Sequence, residues 1–142
     1  MSRQPGVNNP LRQEEQMKRS IFSTDKAPGA IGAYSQAVIA GDMIYTSGQI
    51  PINPATGVLV KDSVESEARQ VLENIKCILE AAGSSMDNVI KMTVYLADLK
   101  DFDAVNRIYA GYFKKDPPAR SCIQAAALPK GASVEMDAAA LL

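Results

Sequence analysis

Histidine is absent from all 142 residues. Its absence removes the commonest general base, the commonest metal ligand and every Ser-His or Cys-His nucleophilic arrangement. Cysteine is scarce. Cys77 and Cys122 stand far apart with no CxxC spacing, which argues against a thiolate metal site, and neither a metal nor a cofactor is expected. Two lone cysteines in a chain with no signal-peptide pattern fit free thiols in a reducing compartment, the cytoplasm. No apolar run approaches the ~18 residues of a spanning helix, so no membrane partner is expected. Nor is there an excess of positive charge: 15 Lys and Arg face 16 Asp and Glu, for a net charge of −1. The bases lie scattered among acids, which argues against nucleic acid as the main partner. The chemistry is left to carboxylates, Arg, Lys, Tyr, Ser or Cys.

The length suits one domain with a real core. Residues 1–20 are polar, with Pro5, Pro10 and the Asn8-Asn9 pair, and read as a flexible extension ahead of a domain over 21–142. Glu14 and Glu15 argue against a transit peptide. Ala37–Ala40 and Met43–Thr46 flank Gly41-Asp42 as a hairpin, with a further strand at 21–23 and a loop over 48–60. Val64, Ala68, Val71, Leu72, Ile75, Ile78, Leu79 and Ala82 form one apolar stripe at helical spacing. Asp62 with Glu65 has the pattern of a capping box, and Gly83 is a natural stop. A strand over 89–96, a helix over 101–115 ended by Pro117-Pro118, and strands over 120–127 and 133–141 complete the chain. This order predicts an α+β domain with two helices on one face of a mixed sheet. The other face would be left bare. The period-two positions Val134, Met136, Ala138 and Ala140 are expected there, waiting for another copy of the chain.

Few side chains in this pattern offer chemistry. Arg120 opens a strand of small and polar residues. It is either a surface arginine or a bidentate fork for a carboxylate. Glu135 alternates with Val134 and Met136 and, if it faces a cleft, could orient water and shuttle a proton. Asp137 shares its face. Tyr34 stands in the Gly32–Gln36 loop as a packing plug or as a group that orients substrate. The glycine of Ser47-Gly48-Gln49 permits close backbone approach to a ligand. Cys122 lies on the face of Arg120, without a histidine to activate it, and suits a pocket wall better than a nucleophile. If the link over 128–131 were a simple hairpin, Glu135 would pair near residue 125, ~17 Å along the strand from Arg120. A small substrate could not span that gap, unless the strands are not neighbours or two chains share the cleft.

Together these segments resemble the RidA/YjgF family. The resemblance is carried by Ala27-Pro28-Gly29-Ala30-Ile31-Gly32-Ala33-Tyr34-Ser35-Gln36-Ala37, by Tyr45-Thr46-Ser47-Gly48-Gln49-Ile50 and by Asn53-Pro54-Ala55-Thr56-Gly57. It continues through Pro118-Ala119-Arg120-Ser121-Cys122 and Leu128-Pro129-Lys130-Gly131 to Val134-Glu135-Met136-Asp137-Ala138, covering 21–142 in order. It implies a chorismate-mutase-like domain assembled as a homotrimer with clefts between subunits. The activity it implies is hydrolysis of 2-iminopropanoate and 2-iminobutanoate to 2-keto acids and ammonia. It maps the carboxylate clamp onto Arg120, the water-orienting acid onto Glu135 and the pocket residues onto Tyr34, Ser47, Asn106 and Cys122, beside which Gly48 is expected to contact substrate. This chain departs from the pattern at Ala33, where many members have proline, in a shorter link from Phe113 to Arg120, and in its first twenty residues. Two other functions stand beside it: a 2-keto acid-binding regulatory trimer using the same Arg120 cleft, and an RNA-cleaving translation inhibitor, a role attached to some members of the family. The near-neutral charge weighs against the last.

Overall fold

The computed structural model describes residues 18–142. The proposed extension lies outside them, except that the first strand, β1, begins at Arg19, inside the segment assigned to it. In chain order the elements are β1 (Arg19–Phe22), β2 (Ala37–Ala40), β3 (Met43–Thr46), α1 (Val64–Ala81), β4 (Val89–Leu96), α2 (Phe102–Tyr112), β5 (Ala119–Gln124) and β6 (Val134–Leu141). The strands form one mixed sheet in the order β1-β2-β3-β6-β4-β5. Only β4 and β5 run parallel, with α2 as their crossover. Both helices lie on one face, as the sequence predicts. No helix among the described residues is long and apolar enough to cross a membrane.

The stripe of α1 does what its spacing dictates. Val71, Leu72, Ile75, Ile78 and Leu79 are fully buried, each contributing about 1.5–3 kcal/mol. The cap is one residue later than the Asp62 pattern suggests, because the Ser63 hydroxyl accepts from the Ser66 N–H at 3.1 Å. Gly83 stops the helix at φ +88°, a backbone conformation that costs glycine little. Two buried polar residues tie α1 to its surroundings. Glu67 accepts from the Ser133 N–H at 2.8 Å, anchoring the start of β6, and Asn74 donates to the Ile52 carbonyl at 2.9 Å.

One expectation about the sheet is overturned. Val134, Met136, Ala138 and Ala140 do not lie on the bare face; they are buried beneath the helices. Period-two apolarity marks a buried face without saying which side the helices take, and α1 packs on β6. The bare face instead carries Glu135, Asp137 and Leu141 of β6, Thr93 and Tyr95 of β4, Tyr45 of β3 and Ile123 of β5. A simple hairpin between β5 and β6 is likewise absent, because β4 lies between them.

Candidate active site

The sheet divides the candidate residues between its two sides. Arg120 pairs with Met92 and Cys122 with Val94, so both face the helices. Glu135 pairs with Tyr95, which pairs with Ile123, so Glu135 points the other way. Two strand spacings and three residues of rise separate Arg120 from Glu135 within one chain, about 14 Å before the thickness of the sheet is counted.

On the bare side, a cavity of about 490 Å³ collects Tyr34, Ser47, Gly48 and Glu135, together with Ile31, Tyr95 and Asp137. A bulge builds its floor. Four residues lead from Tyr45 to Gln49 where three lead from Ala139 to Met136, so Ser47 and Gly48 are pushed out of the ladder. The Thr46 hydroxyl takes up the Ala138 N–H that the bulge would otherwise leave without a partner, at 3.0 Å. The excursion lays Gly48 against Glu135: a Cβ here would sit 3.1 Å from the Glu135 carboxyl carbon. Ser47 is turned inward, its hydroxyl donating to the Ser35 carbonyl at 2.5 Å. Tyr34 is half exposed on its loop, its hydroxyl accepting from the Ile31 N–H at 3.2 Å. Gln36, buried at the base of that loop, accepts from the Thr24 N–H at 2.8 Å and donates to the Pro28 carbonyl at 2.8 Å. Burial, and then the Asp137 charge, push the Glu135 carboxyl above the usual carboxylate range.

On the helix side, a second cavity of about 420 Å³ collects Arg120 and Asn106 with Tyr109, Ala110, Phe113, Pro117 and Pro118. Phe102, Asn106 and Tyr109 lie three or four residues apart on α2 and form one cradle. The Arg120 guanidinium stacks 4.7 Å from the Tyr109 ring centroid and 5.5 Å from that of Phe102. It donates to Asn106 Oδ1 at 2.8 Å. Such a fork is held in place with N–H donors to spare. Among the described residues the one ion pair is Lys100 with Asp98, so Arg120 meets no carboxylate among them. Cys122 lines neither of these cavities; it packs against the core, and burial pushes its thiol pKa up. The residues missed by sequence reasoning are Tyr95, which reads as an ordinary strand aromatic, and Phe102 and Tyr109, which read as the apolar face of α2.

Residues 24–142 match the model of the family described as Endoribonuclease L-PSP. The chain belongs to this family, the RidA/YjgF proteins. Among its RidA/YjgF relatives, a human protein named 2-iminobutanoate/2-iminopropanoate deaminase is 54% identical over 123 residues, which span 87% of this chain and 90% of the human one. A RutC family protein of Pyrococcus horikoshii is 52% identical over 124 residues, 87% of this chain and 98% of the other. The crystal structure of Escherichia coli TdcF with bound serine superposes with a TM-score of 0.83 at 47% identity, covering 87% of this chain and 98% of TdcF. The α+β fold read from the sequence is thus that of the family.

Proposed function

We propose that this chain hydrolyses 2-imino acids, 2-iminopropanoate and 2-iminobutanoate among them, to 2-keto acids and ammonia in clefts shared between copies of a homotrimer. One observation carries the reading. A held arginine and a protected carboxylate line separate cavities on opposite faces, too far apart for a four-carbon substrate to touch both within one chain. A neighbouring copy that sets its Arg120 cavity against the Glu135 cavity completes a site with both. Repeated head to tail, such a contact closes a ring. The deaminase names of the mammalian relatives support the same reaction.

The chemistry suits a chain without histidine. A protonated imine is already electrophilic, so water needs alignment more than activation. Arg120 would clamp the substrate carboxylate, with its plane set by Asn106, Tyr109 and Phe102. Glu135 would align water and take its proton, in a cavity whose aromatic and apolar walls limit competing solvent. Tyr34 and Ser47 would border the substrate, and Cys122 would back Arg120 without acting as a nucleophile. Substrates of this kind arise from enzymes that release imino acids from amino acids, and the free thiols of Cys77 and Cys122 suit the cytoplasm.

The test is ammonia and 2-keto acid release when imino acid is generated in situ by an amino-acid oxidase, with and without the protein. Arg120→Ala and Glu135→Ala should each lose nearly all acceleration. Unfolded and reassembled together in equal amounts, they should regain about a quarter of it, because random mixing puts an intact Arg120 beside an intact Glu135 in about one cleft in four. No recovery from assembled mixtures would refute the shared cleft. Full activity of Arg120→Ala would refute the clamp. The serine bound to TdcF favours a second reading, a small-molecule sensor using the same cleft. It predicts 2-keto acid binding by calorimetry without turnover.

A further inference from the structure

Two carboxylates, not one, face the cavity beside Tyr34. Glu135 and Asp137 lie about 7 Å apart along β6 and both line that cavity. Their surroundings differ. Asp137 Oδ2 accepts from the Tyr95 hydroxyl at 3.1 Å. Thr93 is its cross-strand partner on β4, and Tyr95 is the partner of Glu135. Glu135 has no ion-pair partner among the described residues and rests against the bare backbone of Gly48. The titratable side chains around it are Asp137 on its own strand, Tyr95 on β4 and Tyr34 on the loop before β2; no Lys or Arg lines the cavity. Tyr45 on β3 lies further off, opposite Ala139.

Resting on the deaminase reading above, we propose that Asp137, held by Tyr95, is a positioning residue for Glu135: its negative charge keeps the proton that Glu135 takes from water available for the departing amine. Glu135 has two tasks. First a water O–H bond breaks as the C–O bond forms at the imine carbon, and the proton moves to Glu135. The same proton then passes to the amino nitrogen of the tetrahedral adduct. The C–N bond breaks, ammonia leaves, and the adduct's hydroxyl proton joins the ammonia as the ketone forms. A carboxylate of ordinary affinity, near pKa ~4.3, is a weak base towards water and near neutral pH sheds its proton to solvent before the second task. A negative charge about 7 Å away raises that affinity, more strongly in a half-buried setting than in a watery one. Burial raises the Glu135 pKa most, and the Asp137 charge raises it further. Burial pushes the Asp137 carboxyl up as well, and the hydrogen bond from Tyr95 opposes that rise; Glu135 feels the Asp137 charge, not the reverse.

The experiment is a pH titration of the full-length protein with 13C-labelled Glu and Asp side chains, with Glu135 assigned from its loss in Glu135→Gln. In the parent, the Glu135 curve should carry the Asp137 inflection. In Asp137→Asn the Glu135 midpoint should fall, and the acid limb of kcat/KM should move down with it. Asp137→Glu, which restores the charge, should bring both back towards the parent values. An unmoved Glu135 midpoint in Asp137→Asn would overturn the proposal. If that variant does not fold, a Glu135 curve without the Asp137 inflection in the parent would overturn it instead. These titrations need no turnover, so an inactive parent would refute the deaminase reading while the pairing of the two carboxylates was still measured.

Discussion

Adding one carbon at Gly48 separates the architecture of the site from its stability. Gly48→Ala places a Cβ 3.1 Å from both Cδ and Oε1 of Glu135 and 3.4 Å from its Cγ. The first two contacts are shorter than ordinary van der Waals spacing, so the carboxyl must retreat by a few tenths of an ångström. It can do so, because it is the end of a flexible side chain, at an off-rotamer cost of about 0.5–1.5 kcal/mol. The backbone at Gly48 is not in the left-handed region, so alanine also loses less entropy on folding, a gain of about 0.4–1 kcal/mol. The two effects nearly cancel, and urea denaturation should find the variant within about 1 kcal/mol of the parent. Catalysis has no such offset. A 1 Å misplacement costs about a hundredfold in rate, so a shift of a few tenths should cost about five- to tenfold in kcat/KM. The oxidase-coupled assay reads this directly. In a Glu135→Gln background the same change should cost almost nothing further, because the loss acts through Glu135. Parent-like kcat/KM would refute the reasoning. So would a stability loss above about 3 kcal/mol, which would mean that the bulge itself rejects a side chain.

Other outcomes follow from the same geometry. The Tyr109 hydroxyl is buried without a hydrogen-bond partner among the described residues, so Tyr109→Phe should stabilise the protein by about 1 kcal/mol in urea denaturation; a loss would mean that the hydroxyl is satisfied. Gln36→Leu removes the bonds that hold the loop leading to Tyr34 and should cost about 2–3 kcal/mol, with a rise in KM as the Tyr34 wall loosens. Burial holds both thiols above their ordinary pKa, so mass spectrometry should show iodoacetamide alkylation of Cys77 and Cys122 at pH 8 slower than that of an unfolded control. The rate should still be climbing at pH 9. Deleting residues 1–17 should leave melting temperature and kcat/KM unchanged, whereas deleting 1–23 strips β1 from β2 and should lower the melting temperature.

Much of this molecule follows from local sequence chemistry. The stripe from Val64 to Ala82, the stop at Gly83 and the β2–β3 hairpin around Gly41-Asp42 each rest on side chains a few residues apart, whose spacing sets helix or strand before any long-range contact forms. The second helix, read over 101–115, instead ends at Tyr112, ahead of Pro117-Pro118. The absence of histidine narrowed the chemistry to carboxylates, arginine and hydroxyls, and Arg120, Glu135 and Tyr34 could be picked out as the groups able to do it. Three things needed the tertiary structure. The alternation of Val134, Met136, Ala138 and Ala140 reveals an apolar face but not which side of the sheet the helices cover, because strand periodicity is the same viewed from either side. The insertion of β4 between β5 and β6 joins residues some forty positions apart, and it sets how far Arg120 stands from Glu135. The cradle of Phe102, Asn106 and Tyr109 under Arg120, the hold of Tyr95 on Asp137 and the approach of Gly48 to Glu135 are long-range contacts. They depend on how helix and sheet are stacked, and no local pattern encodes that.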